Sequence, residues 1–367
     1  MPTTFHGVLL SDDLMLRISR FQQGVPQQVL PLATYHQPTT SIPMSEVPAI
    51  TSLIHQWLTL HGQRQLPKLL TWCPRVGRLL LIHAVATGQV NLLQVCLSSL
   101  VESVENLMDV AAYMGQLKMA VALVPYTLDD DAIMAAMFTA VSRGHLNIVE
   151  FLHRQLPSKS PQLHMPHLMD VAASNGHLSV VRFLHFNRHE GCTTLAMDQA
   201  ASRGHLDVLD FLHVHRQEGC TSAAMTLAST HGHVPVMKWL VEHRTRMAWR
   251  WSDAISSAAA NGHVDVLGYI YLIKPRAGWT KQAMDIAACN GHVDVMRFLH
   301  RHRKDGCSEA AEALATANGH VEVVAYLKEH GDELVHCVCC ACGFVKPRSH
   351  ACAAVARAAM RRRVCVK

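Results

Sequence analysis

Gly-His followed by an aliphatic residue recurs seven times, at Gly144, Gly176, Gly204, Gly232, Gly262, Gly291 and Gly319. Two worn copies, Gly88-Gln89-Val90 and Gly115-Gln116-Leu117, precede them. The nine glycines are separated by 27, 29, 32, 28, 28, 30, 29 and 28 residues. A period near 30 constrains the fold more than any local motif. A unit that short cannot bury its own apolar face, so neighbours must stack and share a core.

The residues around each glycine fix what is stacked. Ala stands four positions before all nine, as in Ala84, Ala172, Ala200 and Ala315. An apolar residue stands eight positions after, as in Leu184, Leu212 and Leu299, and offsets +2, +4 and +5 are apolar throughout. Those offsets share one face at 3.6 residues per turn, so the stretch after Gly-His is an amphipathic helix, B. The Ala-containing stretch before it is a second helix, A. The glycine ends helix A in the left-handed conformation that only Gly takes cheaply. The small Ala lets the two helices approach closely.

Ala200-Ala201-Ser202-Arg203-Gly204-His205-Leu206-Asp207-Val208-Leu209 resembles the ankyrin repeat, and the likeness runs in register over about residues 73–331. It implies an all-α, ankyrin-like solenoid of about nine helix-turn-helix repeats. Two departures matter. The family's Thr-Pro-Leu-His is replaced by Leu195-Ala196-Met197-Asp198, with Met-Asp again at Met108-Asp109, Met169-Asp170 and Met284-Asp285. That acid stands where the family has His, and bonding to backbone groups between repeats is expected of it. The second departure is length. Most repeats fall short of the usual 33 residues, and runs such as Arg216-Gln217-Glu218-Gly219-Cys220-Thr221 leave the β-hairpins short or absent.

The chain divides into residues 1–72, a helical and looped N-terminal cap region; 73–331, the repeats; and 332–367, a Cys-rich then basic tail. In the first part, Leu9-Leu10-Ser11-Asp12-Asp13-Leu14-Met15-Leu16-Arg17-Ile18 reads as a helical turn capped by Ser11 or Asp12. Five prolines make 24–48 extended or looped. Ser45 is expected to cap a helix with the apolar face Ile50, Leu53, Ile54, Trp57 and Leu58, with a shorter helix near Leu66–Trp72. Residues 9–21 also resemble the opening of an F-box, which would imply an adaptor recruiting a ubiquitin ligase. Asp129, Asp130 and Asp131 read as first-turn charges favoured by the helix dipole.

Net charge is +5, but Leu334 to Lys367 holds seven Lys/Arg and no Asp/Glu, which leaves 26 basic and 28 acidic residues in the rest. Nucleic acid is therefore not indicated as a partner of the repeat body. The basic run ending Arg361-Arg362-Arg363 suits an acidic surface or nuclear import. Cys339, Cys342, His350 and Cys352 have the ligand types for zinc, but His350-x-Cys352 is too tight for a paired knuckle, and no metal or cofactor is assigned. No apolar run reaches the roughly 18 residues of a membrane helix. Met1-Pro2-Thr3-Thr4-Phe5 lacks the basic start and apolar run expected of a secretory signal. Cys192, Cys220 and Cys307 share one repeat position, which puts neighbours roughly 8–10 Å apart, beyond disulfide reach. Reduced thiols point to an intracellular compartment, cytoplasmic or nuclear.

The 26 histidines read as structural. Seven follow the glycine; His153, His185, His213 and His300 stand nine after it, and His215, His243, His302 and His330 eleven after it, where an imidazole meets the free carbonyls of a helix end. No phosphate loop, nucleophile elbow or His-Glu-x-x-His occurs, so a non-enzymatic scaffold that binds a protein on the concave face is the reading. Trp251 and Trp279 fall where Cys192, Cys220 and Cys307 sit, flanked by Trp249, Arg250 and Lys281 at the starts of A helices. These five are the candidate partner-binding residues, because Trp and Arg are frequent interface anchors. The competing reading is that the indoles fill space between repeats.

Overall fold

The computed structural model describes residue 32 and residues 43–66, 69–70, 76–99, 107–126, 130–156, 167–189, 191–276, 278–303, 306–308 and 310–334. The F-box-like stretch 9–21, its Ser11/Asp12 cap, residues 127–129 and the Cys-rich and basic tail lie outside them. The described residues hold nineteen α-helices and no strand, as expected for short, hairpin-free repeats.

The chain parts into two compact units, Met1–Met165 and Pro166–Lys367. The first holds α1 (Val47–His61) and three helix pairs: α2 (Val76–Thr87) with α3 (Val90–Ser99), α4 (Leu107–Met114) with α5 (Leu117–Leu123), and α6 (Asp130–Arg143) with α7 (Leu146–Gln155). In α1 the expected face is buried through Ile50, Ile54 and Trp57. Its start differs from expectation. Met44–Glu46 form a 3-10 turn, Ser45 makes no cap, and Pro48 sits in the first turn of the helix. A proline there loses nothing, since a first-turn N–H has no intrahelical partner. Leu66 and Leu69 are helical and buried, as expected for the short helix after α1. Asp130 and Asp131 open α6, where their charge meets the positive end of the helix.

The second unit holds six pairs: α8 (Leu168–Ser174) with α9 (Leu178–Asn187), α10 (Thr194–Arg203) with α11 (Leu206–His215), α12 (Ala223–Thr230) with α13 (Val234–His243), α14 (Trp251–Ala260) with α15 (Val264–Ile273), α16 (Lys281–Cys289) with α17 (Val293–His302), and α18 (Ala310–Ala317) with α19 (Val321–Leu334). The glycine marks every hinge. Gly204 has φ 82° and ψ 16°, and the His205 N–H bonds the Ala200 carbonyl at 3.0 Å, satisfying a helix-end acceptor.

Successive A helices pack tightly on one another, α8 on α10, α10 on α12, and so on to α18. Small buried residues allow this: Ala172, Ala200, Ala228, Ala258, Ala287 and Ala315 are all fully buried. The larger apolar side chains come from the B helices. Val208, Leu209 and Leu212 of α11, all at 0% exposure, fill the space between A and B layers, as do most of their counterparts in the other pairs.

Candidate partner-binding surface

The junctions between repeats decide which side chains are spent on the fold and which remain available. Within each unit, the histidine after the glycine crosses to the preceding repeat. His263 Nε2 donates to the Thr230 carbonyl at 2.9 Å, and His292 Nε2 to the Ala260 carbonyl at 2.9 Å. His205 and His233 reach Ser174 and Ser202 in the same way, and in the first unit His145 reaches Tyr113. The ring also lies flat against the previous glycine. A Cβ on Gly176 would stand 2.5 Å from His205 Cε1. The Gly-His pair therefore acts across the junction as well as along the chain. Burial lowers the pKa of His205 and His233, so both stay neutral and donate from one nitrogen.

The Met-Asp acid clasps the next repeat. Asp198 Oδ1 accepts the Thr221 N–H at 2.8 Å, and Oδ2 accepts the Thr221 hydroxyl at 2.6 Å. The same Thr221 oxygen accepts the Ala223 N–H at 3.1 Å, which tightens the start of α12. Asp170 does the same for Thr193, at 2.8 Å in both bonds, and Asp285 accepts the Ser308 N–H at 2.7 Å. The expected backbone bond between repeats is present for Asp170, Asp198 and Asp285, with a hydroxyl bond beside it for Asp170 and Asp198, but not for Asp109, whose Oδ1 is buried with no hydrogen-bond partner among the described residues. Burial pushes the Asp198 and Asp285 carboxyls up against these bonds.

A third recurrence closes the outer side, and its aromatic member escapes a search for chemistry-bearing residues. Seven after the glycine stands an aromatic: Phe183, Phe211, Trp239, Tyr269, Phe298 and Tyr326. His185 meets Phe211 edge-on at 5.6 Å, His213 meets Trp239 at 5.4 Å, and His300 Nδ1 lies 2.7 Å from the Tyr326 hydroxyl. His215, His243 and His330 bond the carbonyls of Phe211, Trp239 and Tyr326 at 3.0, 2.9 and 3.1 Å, as expected at helix ends. The recurrence at a fixed offset was the available signal.

Cys192, Cys220 and Cys307 are unpaired, and burial pushes each thiol up to about 11. Such thiols are poor nucleophiles at neutral pH. Among the described residues no His, Cys, Asp or Glu group is placed to hold a metal ion. No helix of the described residues is long and apolar enough to cross a membrane.

Repeats seven and eight depart from this scheme. At the Asp198 position they follow Thr226 and Ser256, and their own incoming loops carry tryptophan where other loops carry Cys-Thr or Cys-Ser. Trp249 is half-buried just before α14, Arg250 is the exposed residue at its N-cap, and Trp251 is its first residue. Arg250 pairs with Asp253 at 3.6 Å, one turn on. Lys281 opens α16, the A helix packed beside α14. Trp279 precedes it and is engaged by its neighbours: Tyr271 edge-on at 6.2 Å, the Arg303 guanidinium 5.6 Å from the ring centroid, and the Lys274 carbonyl, which accepts from Nε1 at 3.4 Å. A shallow crevice lies here, lined by Trp279, Thr280, Met284, Leu299, Arg303 and Gly306. Trp249 and Trp251 take part in no ring contact among the described residues.

Residues 168–248, which are repeats four to six and the start of the loop after them, match the family model described as ankyrin repeats (3 copies). No curated protein matches the chain. Residues 168–248 are thus ankyrin repeats, and within each unit the described helix pairs have the all-α form of such repeats. Ankyrin repeats are in general protein–protein interaction modules.

Proposed function

We propose that this chain is a non-enzymatic scaffold, cytoplasmic or nuclear, that holds a protein partner along the side lined by the A helices. Trp249, Arg250 and Trp251 form the anchor, with Trp279 and Lys281 beside them. One observation carries the reading. Where the junctions leading into repeats seven and eight lack the aspartate clasp, indoles stand at the starts of the A helices, and two of them are half-exposed with no ring packed on them among the described residues. Half-buried Trp beside Arg is the composition of an interface anchor. Trp279 is the exception, since Tyr271 and Arg303 already hold it.

The test compares the wild type with Trp249→Ala/Trp251→Ala and with a control on a B helix, Leu272→Ser. A partner recovered by quantitative affinity capture is then titrated against all three purified chains. Loss of about tenfold or more in affinity for the indole variant alone supports the reading. Equal affinity for all three, with unchanged helical circular dichroism, rejects it.

A further inference from the structure

The loops that carry the indoles carry charge of one sign. Residues 243–252 hold Arg244, Arg246 and Arg250 and no acid, and residues 271–284 hold Lys274, Arg276 and Lys281 and no acid. The clasped junction five-to-six differs, because its loop balances Arg216 with Glu218 and the two are bonded. Of the six cations, Arg246, Arg250, Lys274 and Arg276 are exposed. Arg250 meets Asp253 at 3.6 Å, but with side chains 73% and 47% exposed that pair is weak and easily exchanged.

These loops also touch. A Cβ on Gly278 would stand 3.2 Å from Ser252 Cβ, so the second loop lies on the first turn of α14. Arg303, which opens the following loop, donates to the Pro275 carbonyl at 3.1 Å and sets its guanidinium against Trp279. Three successive loops thus make one edge in which tryptophans alternate with cations. The edge is bounded on both sides. Residues 166–243 hold five Lys/Arg and seven Asp/Glu, residues 244–303 hold nine and four, and α18–α19 hold one and five. A long polyanion such as a nucleic acid strand would run off the edge onto acid-rich repeats, whereas a short acidic segment would not. Neighbouring repeats stand roughly 8–10 Å apart, so three loops span roughly 16–20 Å, the length of roughly five or six extended residues.

We propose that the partner segment seated here is a short acidic stretch of protein in extended form. Its Asp or Glu side chains meet Arg246, Arg250, Lys274 and Arg276, and an apolar residue lies against Trp249 and Trp251. This rests on those two indoles being the partner anchor, and it adds the chemistry of what they anchor.

Fluorescence anisotropy with the full chain tests it. The probes are a labelled peptide of Asp and Glu around a central Phe, the same peptide with Asn and Gln in place of the acids, and an oligothymidylate of equal length. The acidic peptide binds about tenfold or more tightly than the amide peptide, and raising the salt from about 0.05 to about 0.5 M weakens it. Arg246→Gln/Arg276→Gln weakens it roughly three- to tenfold with helical circular dichroism unchanged. Arg154→Gln, in the first unit, leaves it unchanged. Equal affinity for the acidic and amide peptides overturns the proposal, and so does an equal loss in Arg154→Gln, which would make the effect one of general charge. Tighter binding of the oligothymidylate overturns it in favour of a nucleic-acid surface. The anchor fails separately: acidic-peptide affinity that falls in the arginine variant but not in Trp249→Ala/Trp251→Ala supports the acidic segment and rejects the indoles.

Discussion

Junctions four-to-five and five-to-six are held differently from six-to-seven and seven-to-eight, although the helices they join are alike. In the first pair, Asp170 and Asp198 reach Thr193 and Thr221, and a part-buried cysteine lies beside each threonine. In the second pair Thr226 and Ser256 replace the acid, and Trp251 and Trp279 replace the cysteine. The histidine bridge persists in both, from His205 through His292. The bridge and the alanine core are therefore enough to stack the helices. The clasp is an addition that can be exchanged for half-exposed indoles without altering the frame, and the proposed partner anchor lies at that exchange.

The shared frame should dominate the energetics. Leu212 is fully buried between layers, and Leu212→Ala should cost about 2–5 kcal/mol, loosening the adjoining repeats first. Denaturant melts with exchange measurements check both statements; a loss under about 0.5 kcal/mol would mean that the layer is not a packed core. Gly204→Val should come next. It strains a residue at φ 82° and also thrusts a side chain at the His233 ring, for a loss of about 2–3 kcal/mol. The same melt on His233→Ala/Gly204→Val separates the causes, since relief of the clash would make the double variant milder than the sum of the two.

The comparison between junctions is sharpened by a smaller pair. Asp198→Ala removes both bonds to Thr221 and should cost about 1 kcal/mol. Thr226→Ala, at the same position one repeat later, should stay within about 0.5 kcal/mol. Equal losses would show that the clasp contributes nothing particular to its junction.

The sequence was most legible where one residue type serves one purpose in every repeat. Gly204, Ala200 and Leu212 announced a turn, a close approach and a core position, and the structure has each. Asp198 was legible as an inter-repeat acceptor because no other role suits a lone acid at the start of a helix. The seat between Gly176 and His205 was not, since the spacing of Gly and His along the chain conceals a contact made between repeats. Ser45 misled for a local reason: Pro48 can open a helix without a side-chain cap. The indoles were legible as deviations only. Pattern alone could not separate Trp279, held by Tyr271 and Arg303, from Trp249 and Trp251.

The smallest effect concerns pH, and it probes the outer side of the clasped junctions. Burial, then Arg216, lowers the pKa of His185; burial, then Arg244, lowers that of His213. In both, Nδ1 is buried with no hydrogen-bond partner. A base whose folded pKa lies below its unfolded value of about 6.5 leaves stability intact above that value. Stability is lost as pH falls below it through the lowered folded pKa, because the unfolded chain then binds more protons. Asp198 and Asp285 act with the opposite sign. Their raised carboxyls impose a penalty that sets in as pH rises above about 3.8. The melting midpoint should therefore drop by a few degrees between pH 7.5 and 5.5. His185→Phe/His213→Phe keeps the edge-on ring contacts with Phe211 and Trp239 while removing both protonation sites, so it should flatten that slope. A slope unchanged in this variant would move the acid sensitivity to the bridging rings His205 and His233, the only other histidines of this unit that burial holds below their ordinary range among the described residues.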